Sequence, residues 1–467
     1  MFSLLIAALD QVDPVIVIQH VGISQPNARA SIQDQAVVIR RGGIVAVGRT
    51  ADIPVPEGAT LVNGTGKFLI PGLWDMHVHL LDQKTLPLFV ANGVTGVRVM
   101  WGSERHLGWK RQFDSGDIIS PRLKVGSPIV DGPKPVWTGT RAVNSEEQGR
   151  QAVSDYKAAG YDFIKVYSLL SRDAYFGIAD EAKKQKIPLE GHIPYTISQD
   201  EAMAAGQKST EHLMGIINGC STGDEAYRKA LGEAAPEGFA SVNAAVSKHF
   251  AEMAKGYSVE KRDKLMRDFA KSAMWHCPTL VVLQKTAYMD ELGKFDDPRM
   301  KYMSPLATRT WNPSNDFRFK NRTSQQWEDA KTSYRSNLGI AALLHKSKVR
   351  MLAGTDCFNP YVYPGFSIHE ELALFVGIGM TPGEALATAT LNPAQYYGDD
   401  SGVVEVGMRS DLVMLDADPL VDIKNTAKVS AVFQRGSYYD RAKLDLLLKE
   451  AESEPANEEF RACLCIH

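Results

Sequence analysis

The sequence predicts an α/β chain: a TIM-type (β/α)8 barrel beside a small β module built from both chain ends. Two observations predict it. From about residue 69 to residue 394, short apolar runs alternate with helix-period stretches, and eight such runs can be counted. Before and after that region the pattern changes to short β-rich segments separated by turns. At 467 residues the chain is too long for one small core, which agrees with one large domain and a satellite.

The first β-rich segments are Val15-Ile16-Val17-Ile18 and Gln35-Ala36-Val37-Val38-Ile39. Arg41-Gly42-Gly43 then turns the chain into Ile44-Val45-Ala46-Val47-Gly48, which reads as a hairpin. The barrel strands are placed at 72–77, 93–99, 122–126, 162–167, 187–192, 207–212, 277–283 and 349–356. Connections 213–275 and 284–348 are long, charged and helical in pattern, so helical insertions are expected after strands 6 and 7. They follow strands and so sit on the catalytic face of a barrel, as walls of a site or as oligomer contacts. Asp411-Leu412-Val413-Met414-Leu415-Asp416 and Val429-Ser430-Ala431-Val432-Phe433 return to β character and complete the first module. The domains are therefore 1–68 plus 395–445 for the β module, 69–394 for the barrel and 446–467 for a tail.

Composition is that of ordinary globular protein, 44% hydrophobic and 23% charged. With 52 Lys plus Arg against 55 Asp plus Glu, the net charge of −3 favours neither nucleic acid nor an anionic membrane as partner. No apolar run approaches the roughly 20 residues of a membrane helix. The start, Met1 to Leu9, resembles the end of a signal-peptide apolar region without the basic residues that precede one. Cytoplasmic and periplasmic or secreted locations both stay open. The five cysteines form no disulfide framework. Cys463 and Cys465, in an acidic tail, read as incidental thiols before they read as a weak metal site.

The chemistry lies at the strand ends. The first barrel strand closes on His77-Val78-His79; residues i and i+2 share a side of a strand, so both imidazoles can reach one metal. Lys165 sits inside the apolar run Phe163-Ile164-Lys165-Val166 of the fourth. An ammonium there is costly unless it is paired or loses its charge. A snorkelling or salt-bridged lysine is one outcome; carbamylation by CO2, giving an anion with two oxygens, is the other. Strands 5 and 6 end on His192 and His212, and strand 8 ends on Asp356, placed to ligate metal and accept a proton from water. Each residue alone has an ordinary explanation; the five endings together, in barrel register, point to a metal centre.

Three further residues are weaker candidates. Tyr167 shares the side of Lys165, two residues nearer the mouth, where it could hydrogen-bond a substrate oxygen or serve packing. His369 opens the helix after strand 8, as a substrate contact or as a cap. In loop 131–137, Trp137 suggests an apolar or aromatic wall, and Lys134 a partner for a substrate carboxylate or a solvated side chain.

These motifs resemble the amidohydrolase superfamily, in its prolidase-like, imidazolonepropionase-related branch with a strand-4 lysine. The resemblance rests on Ile70-Pro71-Gly72-Leu73-Trp74-Asp75-Met76-His77-Val78-His79, Ala353-Gly354-Thr355-Asp356, Thr381-Pro382-Gly383-Glu384-Ala385-Leu386, Asn392-Pro393-Ala394 and Gly407-Met408-Arg409-Ser410-Asp411-Leu412-Val413. It implies a distorted barrel with a flanking β-sandwich and a binuclear centre. His77, His79 and Asp356 would take the more buried metal, His192 and His212 the second, and a carbamate on Lys165 would bridge them. Imidazoles and carboxylates suit Zn2+; Mn2+, Co2+ and Fe2+ are compatible. Where peptidase members often read His-Ala-His-Gly, this chain has Gly191-His192-Ile193-Pro194.

The expected activity is metal-dependent cleavage of a C–N bond in a small amide, peptide-like or N-acyl amino-acid substrate, by a homo-oligomer. Asp356 is the expected proton carrier, with Tyr167 and His369 beside it. The alternatives are a lactone or organophosphate ester hydrolase on the same two metals, a mononuclear imidazolonepropionase- or deaminase-like enzyme, and a non-catalytic scaffold.

Overall fold

The computed structural model describes residues 14–293 and 296–452, so Met1 to Leu9 and the Cys463–Cys465 pair lie outside the described residues. The β-rich chain ends form one sheet. Val15–Ile23 pairs antiparallel with Ile32–Arg40, which pairs with Gly43–Arg49, the hairpin turning at Arg41 and Gly42. Phe68–Pro71 joins the two ends, pairing with Val15–Ile23 on one side and with Leu412–Leu415 on the other. Val429–Gln434 and Ser437–Asp440 continue the sheet. Ile18, Val37, Leu69, Leu412 and Phe433 pack in one buried cluster, so residues about 400 apart in sequence share a core.

The middle of the chain is a TIM-barrel-like α/β fold. Leu73–Val78, Val94–Val99 and Arg122–Val125 form a parallel sheet. Ile164–Val166, Leu189–Gly191, Ser209–Glu211 and Trp275–Cys277 form a second, in parallel register. Bridges Gly126↔Phe163, His276↔Met351 and Val78↔Cys357 link these sheets and the segment around residues 351–357. Met76 N donates to Ala353 O at 2.8 Å and Asp356 N to His77 O at 2.7 Å, so the eighth segment lies against the first.

Helices form where the sequence supplies caps. Ser145 Oγ accepts from Gln148 N at the start of Glu146–Ala159, and Gly160, at φ 89°, ends it. Thr381 and Glu384 make a reciprocal capping box on Pro382–Thr388. The long connection after the sixth strand holds Asp224–Ala234, Phe239–Lys255 and Val259–Lys271; that after the seventh ends in Ser324–Lys346. No helix among the described residues is long and apolar enough to cross a membrane.

Three sequence readings are corrected. The run 277–283 is not a strand: the strand is Trp275–Cys277, and Leu280–Ala287 is helical. Thr279 at φ 49° turns the chain, and the Glu371 carboxylate accepts from Leu280 N at 2.9 Å and Val281 N at 2.7 Å. A cap supplied from 91 residues away is invisible to local patterning. The eighth run is held by isolated bridges and hydrogen bonds, not by a continuous strand. The segment from residue 446 begins inside the helix Arg441–Glu450, where Leu444 and Leu447 are buried.

Candidate metal centre

His77, His79, Lys165, His192, His212 and Asp356 line one cavity of about 460 Å3, together with Tyr167. That is an ordinary size for a small-molecule site. The fold brings six of the sequence-selected side chains together from five strand ends.

The ring nitrogens are sorted by their hydrogen bonds. His77 Nδ1 lies 2.8 Å from Glu211 Oε2, an acceptor when ionised, and so carries the proton. His212 Nδ1 lies 2.7 Å from Thr279 Oγ1. That hydroxyl gives its proton to Pro278 O, so it accepts from His212. His192 Nδ1 pairs with Ser168 Oγ at 2.8 Å. In His77 and His212 the Nε2 lone pair is left for the cavity, the arrangement a metal-binding imidazole needs.

These atoms converge on Asp356. Its Oδ1 is 3.5 Å from His77 Nε2 and 2.7 Å from His79 Nε2, and its Oδ2 is 3.9 Å from His212 Nε2. Despite the short His79 contact, Asp356 Oδ1 is buried with no aligned hydrogen-bond donor. For His77 and His212, whose Nδ1 atoms carry the proton, an Nε2 lone pair facing a carboxylate oxygen fits a shared cation better than a hydrogen bond. Ligand atoms of His77, His212 and Asp356 all fall within 4.8 Å of one another. The donor set of imidazole and carboxylate therefore fits a divalent metal such as zinc.

Burial sets the protonation states. It pushes the imidazoles of His77 and His192 well below their usual range, and that of His212 below it, so they are neutral imidazoles at pH 7. Burial raises the Asp356 carboxyl, but the facing His77 and His79 rings outweigh it and hold it below the usual carboxylate range. Burial likewise lowers the Lys165 ammonium to about 8, against the attraction of Glu211 and Asp356. Its Nζ lies 5.9 Å from the centre of the Tyr167 ring. The Tyr167 phenol is pushed upward by burial and stays protonated.

Under the ligands lies a charged layer that the sequence reading missed. Arg98, fully buried, donates to Glu190 Oε2 at 2.9 Å, to Ser209 Oγ at 2.7 Å and to Glu211 Oε1 at 2.9 Å. Glu211 passes this restraint to His77. The available signal was an arginine inside the apolar strand Val94–Val99, and a glutamate immediately before His212.

Backbone conformation also serves the site. His212 and Asp356 take φ of 60° and 59°, uncommon for side-chain-bearing residues. Gly191 has φ 121°, and a methyl group there would meet Val166 O at 2.4 Å and Lys165 Cδ at 2.8 Å. Gly191→Ala is therefore expected to displace Lys165 and destabilise the fold by about 3 kcal/mol. Urea unfolding checks this; a midpoint equal to wild type contradicts it.

Two sequence candidates do not reach the cavity. His369 is buried elsewhere, its ring 3.0 Å from Thr426 Oγ1 and 3.1 Å from Asn92 O. Burial lowers it to about 4, so it is a neutral packing residue and not a catalytic one. On its helix it stands two residues, roughly 200° of rotation, from Glu371, which takes the side facing the seventh strand's helix. Lys134 is ion-paired with Glu237 at 2.6 Å on the surface. Trp137 does line the cavity, and its Nε1 donates to Tyr167 Oη at 2.9 Å.

The chain is similar to known proteins in sequence and in fold. The sequence profile of the amidohydrolase family matches residues 168–438. An imidazolonepropionase of Idiomarina loihiensis is 44% identical over 50 residues, a stretch of 11% of this chain and 12% of that relative. Among solved structures, bottromycin amidohydrolase superposes with a TM-score of 0.73 at 24% identity, covering 94% of this chain and 91% of its own. An Xaa-Pro dipeptidase with bound methionine superposes at 0.65 with 16% identity, covering 91% of this chain and 100% of its own.

Proposed function

This chain belongs to the amidohydrolase family, hydrolases of carbon–nitrogen bonds, and we propose that it is a binuclear, metal-dependent enzyme cleaving a small amide, peptide-like or N-acyl amino-acid substrate. The observation that carries this reading is the convergence of His77, His79 and His212 Nε2 atoms on Asp356, with His192 and Lys165 lining the same cavity.

In this reading His77, His79 and Asp356 would hold one metal, His192 and His212 would hold a second, and Lys165, carbamylated by CO2, would supply carbamate oxygens to both. Zn2+ fits the donors best. Bound metals of this kind supply Lewis acidity, making water nucleophilic near neutral pH and polarising the substrate carbonyl.

The chain's own residues do the rest. Asp356, aimed into the cavity, accepts a proton from the attacking water and returns it to the departing amine nitrogen. Tyr167, a protonated phenol whose oxygen already accepts from Trp137, donates to the carbonyl oxygen as negative charge builds there. Glu211 keeps the His77 proton on Nδ1 throughout. Around this site we take residues 69–394 as a closed, distorted barrel, and residues 1–68 with 395–445 as a β-sandwich. A homo-oligomer is the assembly we expect.

The test is a substrate panel of N-acyl amino acids, dipeptides, lactones and aryl phosphate esters on metal-replete protein. Hydrolysis of amides above the other classes is expected. Turnover confined to lactones or phosphate esters would sink the amidase reading.

A further inference from the structure

The cavity has an aromatic wall that starts at a candidate metal ligand and runs outward. The His79 and Trp101 rings are 6.0 Å apart, Trp101 and Trp137 5.8 Å, and Trp137 and Phe317 6.1 Å. Three separate segments supply it: the chain after the second barrel strand, the loop after the third and the connection after the seventh. Phe317 is 45% exposed, a large apolar ring left open beside a cavity. The adjacent cation is already occupied. Arg318 donates to both carboxylate oxygens of Asp316, at 3.0 and 2.6 Å, and its guanidinium lies 5.8 Å from the centre of the Trp137 ring.

Trp137 also touches the chemistry. Its indole N–H donates to Tyr167 Oη at 2.9 Å, and the Tyr167 ring stacks on His192 at 4.0 Å between centroids. A phenol oxygen that accepts from an indole keeps its own proton for another acceptor. The same side chain thus forms the wall and fixes the phenol that faces the substrate.

We propose that the cavity takes an amide carrying a flat aromatic ring next to the scissile bond, with that ring resting on Trp101, Trp137 and Phe317. Trp137 is in addition a positioning residue that aims the Tyr167 hydroxyl at the substrate oxygen. The inference rests on the amide-hydrolase reading above and sharpens its substrate class. Ring-on-ring contact in offset or edge-to-face geometry favours an aromatic group over an aliphatic one of equal area. The ring could stand on the acyl or the amine side of the bond, and the test separates the two.

N-benzoylglycine carries the ring on the acyl side, N-acetylphenylalanine on the amine side, and N-acetylalanine carries none. One ring-bearing amide is expected to exceed N-acetylalanine in kcat/KM by about tenfold or more, and Trp137→Leu is expected to bring the ratio near one. Trp137→Phe keeps a ring and loses the N–H, so KM stays and kcat falls; in a Tyr167→Phe background the same change has no further effect on kcat. Equal kcat/KM for all three amides, or a preference that survives Trp137→Leu, overturns the inference. Calorimetric binding of benzoate against acetate, and of phenylalanine against alanine, reads the wall without turnover. Ring-dependent binding that Trp137→Leu abolishes, with no amide hydrolysed, leaves the wall assigned and removes the amidase reading. Absence of ring-dependent binding removes the wall assignment even where amides are hydrolysed.

Discussion

Asp356→Asn is expected to lower kcat about 10³-fold or more while the protein stays folded, because in the proposed mechanism one side chain both faces the metal ligands and carries the proton. Asparagine is the informative replacement. It keeps the size of the side chain and tolerates the left-handed backbone, here at φ 59°, that would strain most residues. What it loses is the charge facing His77, His79 and His212, and the ability to accept and return a proton. Loss of a transition-state role lowers kcat and kcat/KM together. Steady-state kinetics on a hydrolysed amide, with circular dichroism to verify the fold, reads both; a fall smaller than tenfold contradicts the assignment.

Arg98→Met is expected to cost about 4 kcal/mol of stability, because it strips the shared partner from two buried carboxylates. Arg98, Glu190 and Glu211 are each no more than 1% exposed, so solvent cannot replace the lost charge. The effect should reach the ligands. Without Arg98, Glu211 loses two of its hydrogen bonds and its hold on His77 Nδ1 loosens. Weakening the group that orients a ligating imidazole typically lowers metal affinity about 10- to 100-fold. Neutralising the orphaned acids in Arg98→Met/Glu190→Gln/Glu211→Gln should recover part of the stability but not the metal affinity, since an amide cannot fix the His77 proton as a carboxylate does. Urea unfolding and metal titration separate the two effects. A destabilisation under 1 kcal/mol would falsify the view of Arg98 as the organiser of this layer.

How much of this was legible in the sequence follows from where the information lies. The proposed ligands are marked locally: a two-residue spacing in His77-Val78-His79, a lysine inside an apolar strand, and histidines closing short apolar runs. Barrel strands are short, and their period-two or continuous apolar character needs only a few residues to read. The partners of those ligands are not local. Glu211 meets His77 across 134 residues, Arg98 meets Glu211 across 113, and Thr279 meets His212 across 67. The same limit explains the misread run 277–283, whose second half enters the helix Leu280–Ala287, capped by Glu371 from another element. It also explains His369: its position at the start of a helix after the eighth run was right, but the direction of its ring depended on Asn92 and Thr426. Cavity walls are the least legible part. Phe317 sits in a connection whose sequence marks it as helical and charged, and only the fold sets it beside Trp137.

Lys165, inside an apolar strand and lowered to about 8 by burial, is proposed as a bridging metal ligand once carbamylated. The measurement that tests it most directly is metal content per chain, by elemental mass spectrometry, for wild type and Lys165→Ala, each purified without chelator and reconstituted with and without bicarbonate. Two metals per wild-type chain are expected with bicarbonate, and a marked loss both in Lys165→Ala and without bicarbonate. One metal per chain, unchanged by the substitution and by bicarbonate, would contradict that expectation and reduce Lys165 to a structural lysine beside a mononuclear site.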